Sequence, residues 1–200
     1  MTLVSQLIPD FTASAVLKDG KIIDNFNIKK YLKNKYGVIF FWPMDFTFVC
    51  PSEIIAFNKR YKEFKKRNVK IVGVSIDSVF VHHAWRKTSI SNGGIENVEY
   101  PMISDIDRKI MKKYDVIHQK EKVALRAVFI IDKNGIVRSE IINDLPFGRN
   151  IEEIIRIIDA IQFYEKHKQV CPAQWNLGKS GIVPNSKGIS EYLSKNLKDL

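Results

Sequence analysis

Runs of consecutive apolar residues alternate with amphipathic segments in the first half of this chain. Residues 37–42 are apolar at every position, and residues 69–76 are rich in β-branched side chains. Both patterns are typical of strands that are buried on both faces of a sheet. The segment between them predicts a helix over residues 52–66, because its apolar side chains recur every three or four positions. These side chains are Ile54, Phe57, Tyr61 and Phe64.

The second half of the chain continues this alternation. Residues 79–88 and 105–114 predict two shorter helices. Residues 127–131 and 136–142 predict two strands, and the Asn-Gly pair at 134–135 is typical of a hairpin turn between them. Strands and helices in this order predict an α/β layered domain.

The longest amphipathic helix is predicted from Asn150 onwards. Isoleucines recur on one face as far as Ile161, and the pattern ends near residue 167. The remainder contains prolines and glycines at irregular spacing, followed by a last short helix predicted over residues 187–197. We therefore expect a domain of residues 1–165 and a C-terminal arm of residues 166–200.

Composition restricts the class of protein. With 200 residues, of which 45% are hydrophobic and 27% charged, the chain is typical of a globular protein. Two cysteines are too few for a disulfide-stapled secreted scaffold, and no apolar run approaches the roughly 20 residues that a membrane span needs. The first ten residues have no signal-peptide pattern, so we expect a cytoplasmic protein without membrane contact.

The chain is strongly basic, with a formal net charge of +10. A charge of this size suggests a protein that binds nucleic acid, which is one candidate function. The lysines are scattered in short clusters on predicted helix faces, however, and no zinc-finger spacing, Walker loop or dinucleotide fingerprint accompanies them. A solvated basic surface without a nucleic-acid partner is the expectation.

Cys50 lies between a predicted strand and a predicted helix, and Pro51 follows it. Proline suits the first turn of a helix, so we expect Cys50 at a helix N-terminus, where unpaired N–H groups and the helix dipole favour a thiolate. The alternative is a buried free cysteine that packs as a small apolar residue. The C-x-x-C spacing of a thioredoxin-type disulfide exchanger is missing.

The residues around Cys50 follow a longer pattern. Pro43, Thr47 and Cys50 are spaced as P-x-x-x-T-x-x-C, which resembles the signature of peroxiredoxins. Four further segments resemble the typical 2-Cys peroxiredoxins in the same order, namely residues 72–78, 125–132, 143–149 and 170–175. The resemblance covers nearly the whole chain. It implies a thioredoxin-like fold, with a central mixed sheet flanked by helices and an extended C-terminal arm.

The resemblance also implies a thiol-dependent peroxidase for hydrogen peroxide and organic hydroperoxides. Cys50 would be the peroxidatic nucleophile that becomes a sulfenic acid, Thr47 would hydrogen-bond the peroxide, and Pro43 would shield the pocket. Arg126 would stabilise the thiolate and the developing charge. The bland alternatives are a turn residue for Thr47 and a strand-ending proline for Pro43. Arg126 lies on a predicted buried strand, where an unpaired guanidinium would be costly.

Glu53 and Arg149 resemble the acidic and second arginine positions of the family, which orient the active-site network. Their alternative is a surface salt bridge. By the same resemblance, Cys171 is the resolving cysteine, which forms an intersubunit disulfide with Cys50. A homodimer is then the smallest active unit, and a ring of five dimers is the larger assembly that the family suggests. Thioredoxin is the expected electron donor, with a dedicated flavoprotein reductase as the alternative.

No metal, flavin, haem or nucleotide cofactor is expected, because the two cysteine sulfurs alone can carry out the peroxidase reaction. His82 and His83 are adjacent, so on a helix their side chains point about 100° apart and cannot share one ion. His118 and His167 have no Cys or His at ligand spacing.

Two motifs depart from those of family members that are prone to over-oxidation. Gly-Gly-Leu-Gly is replaced by Gly-Gly-Ile-Glu at residues 93–96, and Tyr-Phe near the C-terminus by Tyr192-Leu193. Our hypothesis is that the arm packs less firmly over the helix in this chain, so that disulfide formation competes better with further oxidation of Cys50.

Overall fold

A seven-stranded mixed sheet is the centre of this computed structural model, which describes residues 2–197. The strands are β1 (Thr12–Val16), β2 (Ile22–Asn27), β3 (Tyr36–Phe41), β4 (Val69–Ser75), β5 (Met102–Ser104), β6 (Arg126–Ile131) and β7 (Val137–Asn143). Their order across the sheet is β2-β1-β5-β4-β3-β6-β7. The β3–β4 and β4–β5 pairs are parallel, and the other neighbours are antiparallel. Met1 and residues 198–200, at the ends of the predicted domain and arm, lie outside the described residues.

Helices accompany the strands in the predicted alternation. They are α1 (Ile28–Leu32), α2 (Cys50–Lys59), α3 (Tyr61–Lys66), α4 (Val79–Lys87), α5 (Lys109–Lys113), α6 (Ile151–His167) and α7 (Ser186–Asn196), with a short 3-10 helix at Ile90–Asn92. Helix α4 packs against β1 and β5, and α3 packs against β4. The predicted α/β arrangement, with a mixed sheet flanked by helices, is confirmed. Among residues 2–197, no helix is both long enough and apolar enough to cross a bilayer.

The apolar composition of the central strands explains why they lie in the interior of the sheet. Every residue of β3 and of β6 is buried. Apart from Arg126 at the start of β6, these are continuous runs of hydrophobic residues and glycine, which permit burial on both faces where an alternating strand would not. Strands β1, β2 and β5 and helix α1 were not predicted. Each has six residues or fewer, and β5 has only three, so none contains enough periodic positions to stand out from the surrounding sequence.

Two predicted helices begin or end differently from the expectation. The single helix predicted over residues 52–66 is interrupted at Arg60, whose φ of −92° and ψ of 2° separate α2 from α3. The helix predicted from Asp105 begins only at Lys109. The reason is that the Asp105 carboxylate accepts hydrogen bonds from the backbone N–H groups of Ile110 and Met111, both at 2.8 Å, so it caps the helix from outside.

The chain divides into two compact units between Ile151 and Glu152. The second unit contains most of α6, whose isoleucines Ile154, Ile155 and Ile158 are buried as predicted. Its arm is ordered by local contacts. Trp175 is fully buried, and its ring lies 5.0 Å from that of Phe163, while residues 170 and 182 form an antiparallel bridge.

Candidate active site

Cys50 is the first residue of α2, and its side chain is completely buried. Residues 42–49 form the loop that leads from the end of β3 into this helix, and we call this segment the Cys50 loop. Pro51 occupies the first turn. Val49, the residue before the helix, forms no side-chain cap. Pro51 has no N–H, and the N–H groups of Ser52 and Glu53 donate to the Val49 carbonyl at 3.1 and 3.4 Å. The helix dipole, rather than a set of open N–H groups, therefore favours an anion at the helix start.

Thr47 directs its hydroxyl at the Cys50 sulfur. Its Oγ1 lies 2.8 Å from Cys50 Sγ and 2.8 Å from the carbonyl oxygen of Met44. The single hydroxyl hydrogen can be donated to one of these acceptors at a time, and a thiolate is the stronger acceptor. Thr47 is half-buried, so its oxygen stays within reach of a small molecule that approaches Cys50.

Arg126 approaches the same sulfur from β6. Its Nη1 lies 3.4 Å from Cys50 Sγ and 2.6 Å from Glu53 Oε2, so the two hydrogens of one nitrogen have separate acceptors. Its Nε donates to the carbonyl oxygen of Leu145 at 2.6 Å. Only 5% of the Arg126 side chain is exposed. The guanidinium is thus a buried cation that is fixed at three points around Cys50.

Glu53 connects the two predicted arginines. Its Oε1 accepts from Arg149 Nε at 2.7 Å and from the Arg149 backbone N–H at 2.9 Å, and its Oε2 accepts from Arg149 Nη2 at 2.9 Å. Arg149 Nη1 also donates to the carbonyl oxygens of Phe41 and Ala127, both at 2.7 Å. The side chains of Glu53 and Arg149 are at most 2% exposed. The alternative of a surface salt bridge is therefore wrong for this pair.

The charges of this cluster favour an anion at Cys50. Two guanidiniums and one carboxylate leave one uncompensated positive charge in a buried site. Burial lowers the pKa of Arg149, while the negative charges of Glu53 and Cys50 oppose that change. A thiolate on Cys50 brings the formal charge of the four groups to zero, which reduces the cost of keeping them away from water.

Pro43 is buried at the start of the Cys50 loop, while the aromatic residues further along it face outwards. Phe48 is 99% exposed and Phe46 is 50% exposed. Sequence analysis predicted one site that contains Pro43, Thr47, Cys50, Glu53, Arg126 and Arg149. The hydrogen bonds described above join the last five of these residues, and Pro43 is buried at the start of the loop.

A second polar group, which sequence analysis missed, includes one residue of the Cys50 loop; two of its three members are buried and Asp77 is partly buried. Asp45, Asp77 and His82 have ligand-type atoms within 4.8 Å of one another. His82 Nδ1 lies 2.7 Å from Asp45 Oδ2, and His82 Nε2 lies 3.2 Å from the carbonyl oxygen of Ile103. A carbonyl can only accept, so Nε2 carries a hydrogen, and the 2.7 Å contact between Nδ1 and the Asp45 carboxyl group requires a further hydrogen between these two atoms. This geometry fits a hydrogen-bonded network better than a cation site, which needs a bare ring nitrogen.

Cys171 lies in the arm of the second unit, where it is partly buried. Its Sγ lies 3.7 Å from the carbonyl oxygen of Ala160 on α6. Burial raises the pKa of the Cys171 thiol, and the positive charge of Arg156 opposes this effect. Arg156 in turn forms two hydrogen bonds with Glu153, at 2.6 and 2.8 Å, and donates to the Trp175 carbonyl at 3.0 Å.

Comparison with known proteins gives consistent matches along the chain. Residues 4–140 match the AhpC/TSA family, and residues 160–195 match the C-terminal domain of 1-Cys peroxiredoxin. The chain is 57% identical over 195 residues to alkyl hydroperoxide reductase C of Buchnera aphidicola subsp. Schizaphis graminum, covering 98% of each chain. It is 48% identical over 187 residues to peroxiredoxin-1 of Gallus gallus, covering 94% of this chain and 93% of that protein.

Among solved structures, the reduced 2-Cys peroxiredoxin of Plasmodium vivax is similar with a TM-score of 0.93 and 45% identity. The match covers 97% of this chain and 100% of that one, and it confirms the predicted thioredoxin-like fold. Such similarity along almost the whole chain identifies a thiol-dependent peroxidase, an oxidoreductase, as predicted. The chain belongs to the AhpC/TSA family of peroxiredoxins.

Proposed function

We propose that this chain reduces hydrogen peroxide and small organic hydroperoxides at Cys50 as part of antioxidant defence. The observation that carries the proposal is the convergence of Thr47 Oγ1 and Arg126 Nη1 on the Cys50 sulfur, at 2.8 and 3.4 Å. In the reaction, the thiolate attacks one peroxide oxygen, so that an S–O bond forms while the O–O bond breaks. The departing oxygen takes up a proton and leaves as water or an alcohol, and Cys50 becomes a sulfenic acid.

Thr47 and Arg126 have complementary roles in this step. The Thr47 hydroxyl can release Cys50 Sγ and hydrogen-bond the incoming peroxide, since it is half-buried and has a second acceptor in the Met44 carbonyl. Arg126 donates towards the reacting sulfur and stabilises the negative charge that moves to the departing oxygen. Glu53 and Arg149 hold Arg126 in place, and the buried Pro43 shields the pocket from water.

Cys171 is the proposed resolving cysteine. Its thiolate attacks the Cys50 sulfenic sulfur of a partner subunit, so that an S–S bond forms and hydroxide departs. Cys50 is completely buried in the first turn of α2, so this turn must open before the two sulfurs can meet. In functional terms, residues 1–165 would form the peroxidase domain and residues 166–200 the arm that carries the second cysteine.

The intersubunit disulfide requires self-association. Strand β7 is an outer strand of the sheet. Its first residue, Val137, exchanges backbone hydrogen bonds with Ser5 and Gln6 at 2.8 and 2.9 Å, and the edge beyond Val137 is the part that would offer backbone groups to a second copy of the chain. A homodimer is the smallest active unit in this proposal, and a pentamer of dimers is the larger assembly. A cytoplasmic location is part of the same proposal.

Thioredoxin is the proposed electron donor, and a dedicated flavoprotein disulfide reductase is the alternative. A coupled assay that follows NADPH oxidation with each donor in turn would distinguish them. If turnover is faster with the flavoprotein, the flavoprotein becomes the proposed electron donor. The proposed role of Cys50 would not change.

Peroxide consumption in the presence of dithiothreitol or thioredoxin tests the assignment of the two cysteines. Cys50→Ser is expected to abolish consumption, because the nucleophile is lost. Cys171→Ser is expected to keep one rapid turnover per subunit and to stop thioredoxin-driven cycling. Undiminished activity of Cys50→Ser would overturn the proposed function, and continued cycling of Cys171→Ser with thioredoxin would overturn the resolving role.

A further inference from the structure

Asp45, a residue of the Cys50 loop, connects this loop to neighbouring segments through its side chain and its backbone N–H. This aspartate is buried, and each of its oxygens has a partner. Oδ1 accepts from the indole Nε1–H of Trp42 at 2.9 Å, and Oδ2 lies 2.7 Å from His82 Nδ1. The backbone N–H of Asp45 donates to Asp77 Oδ2 at 2.8 Å. One residue of the loop is therefore connected to the first residue of the same loop, to α4 and to the segment after β4.

The next residue of the loop has an unfavourable backbone conformation. Phe46 has a φ of 53°, in the left-handed region that bulky side chains rarely adopt. This turn directs the chain so that Thr47 Oγ1 reaches both the Met44 carbonyl and Cys50 Sγ. Strain of this kind persists only where the surroundings determine it, and it concentrates at functional sites.

Helix α4 contacts both this strained residue and the residue before it. His82 binds Asp45 immediately before Phe46. Trp85, one turn later on α4, lies with its ring 5.7 Å from the ring of Phe46. The Cys50 loop is thus fixed to one rigid element by a hydrogen bond and by a ring contact.

The Asp45–His82 pair is also costly to bury. Both side chains are fully buried, at 0% exposure, and removal of charged or polar groups from water is compensated only when all their hydrogen bonds are formed. Here Nε2 of His82 is held by the Ile103 carbonyl at 3.2 Å, and both Asp45 oxygens are occupied. Apolar residues could fill this space, but they could not direct the loop, since apolar contacts have no preferred direction.

We propose that Asp45 and His82 are positioning residues for peroxide reduction, which act through Thr47. The pair holds the Cys50 loop in the strained conformation that aims the Thr47 hydroxyl at the site of peroxide attack. The inference deepens the proposed function and rests on the roles of Thr47 and Cys50 given there. Neither Asp45 nor His82 contacts the reacting sulfur in the described hydrogen-bond network.

The test compares two reactions of Cys50 in the full chain. Asp45→Ala is expected to slow oxidation of Cys50 by hydrogen peroxide by about tenfold or more, since small misplacements of a catalytic group cost this much. Alkylation of Cys50 by iodoacetamide, which does not require a peroxide held by Thr47, is expected to change much less. Asp45→Asn is expected to restore most of the peroxide rate, because its amide can donate to His82 Nδ1 and its oxygen can still accept from Trp42.

A double-mutant cycle with Thr47→Val distinguishes positioning from general destabilisation. If Asp45 acts through Thr47, Asp45→Ala adds little further loss of peroxide rate in the Thr47→Val background. Asp105→Ala is the matched control. It removes another buried aspartate that caps backbone N–H groups, so it is expected to lower the unfolding temperature while leaving the ratio of the two Cys50 rates unchanged.

An unchanged rate ratio in Asp45→Ala, or losses that simply add to those of Thr47→Val, would overturn the inference. If Asp45→Ala does not fold, Trp42→Phe carries the same measurement, because it removes only the donor to Asp45 Oδ1 and keeps an aromatic ring. The proposed function has its own separate failure, namely peroxide consumption by Cys50→Ser. The two can therefore fail independently.

Discussion

At the scale of single residues, one carboxylate, that of Glu53, joins the two arginines of the cluster beside Cys50. Glu53 faces the guanidiniums of both Arg126 and Arg149 in a site that water does not reach. Without it, two cations would share a buried space with no fixed counter-charge. Glu53 thus stabilises the fold as well as the position of Arg126.

Glu53→Gln is expected to lower the free energy of unfolding by about 3–5 kcal/mol, because removing one partner leaves buried charges uncompensated. Urea unfolding measures this change. Glu63→Gln is the matched control, since Glu63 also lies 2.7 Å from an arginine, Arg60, but both side chains are 36% exposed. Its expected cost is below about 1 kcal/mol. Equal losses in the two variants would contradict the importance of burial.

At the scale of elements, α6 holds the arm through Arg156. This residue lies one helical turn before Ala160, whose carbonyl is 3.7 Å from Cys171 Sγ. Arg156 and Ala160 therefore lie on the same face of α6, the face that the arm covers. Arg156 also donates to the carbonyl of Trp175. The helix therefore provides the arm with a hydrogen-bond anchor and with the positive charge that opposes the raised pKa of Cys171.

Arg156→Gln is expected to raise the pKa of Cys171 further, because burial then acts without the opposing charge. In the Cys50→Ser background, the pH midpoint of Cys171 alkylation should move upward, and disulfide formation at neutral pH should slow in the chain with both cysteines. Arg156→Lys, which keeps the charge, should restore much of the midpoint. A midpoint that is identical in the parent and in Arg156→Gln would show that this charge does not act on Cys171.

The raised pKa also fixes the sign of a pH effect on stability. The folded chain favours the neutral thiol of Cys171, so this contribution is fully present below the pKa of an unfolded cysteine, about 8.5. It is lost as the pH rises through the higher folded value. Arg156→Gln widens that window towards alkaline pH.

At the scale of the whole molecule, the two outer strands of the sheet differ. Strand β2 carries the exposed polar residues Asp24 and Asn25, which discourage pairing with another strand. Strand β7 has an exposed charged residue, Arg138, near its start, but near its end it carries the apolar residue Ile142, which is 43% exposed. This contrast supports β7 as the edge through which two copies of the chain pair.

Ile142→Asp is expected to convert the proposed dimer to a monomer, because two symmetry-related carboxylates would lie near each other in a paired edge. Sedimentation velocity measures the change in mass, and Asn25→Asp on β2 is the control that should leave the mass unchanged. The intersubunit disulfide should decrease in parallel. A fully dimeric Ile142→Asp variant would exclude β7 as the pairing edge.

Much of the element order follows from local pattern. The central strands β3, β4 and β6 were predicted to within one residue at each end, because continuous apolar runs reflect burial on both faces. Prediction failed at Arg60, where a helix breaks without proline or glycine, and at Asp105, where a side chain caps a later helix. In both places, contacts beyond the periodic pattern decide where a helix begins or ends.

The candidate site was predicted in its members but not in its arrangement. The ordered motifs identified Cys50, Thr47, Arg126, Glu53 and Arg149. They did not reveal that Glu53 joins arginines 73 and 96 positions away, and they left a surface salt bridge open. The Asp45–His82 pair, separated by 37 positions, was missed because its members belong to different local patterns.

By itself, the sequence determined the alternation of strands and helices, the position of Cys50 at a helix start and the family, since these depend on near neighbours and on ordered motifs. Only the tertiary structure decided which charges are buried and which atoms meet. The sheet brings together strands and loops that are remote in the chain, and the strength of each ion pair depends on the burial that this creates.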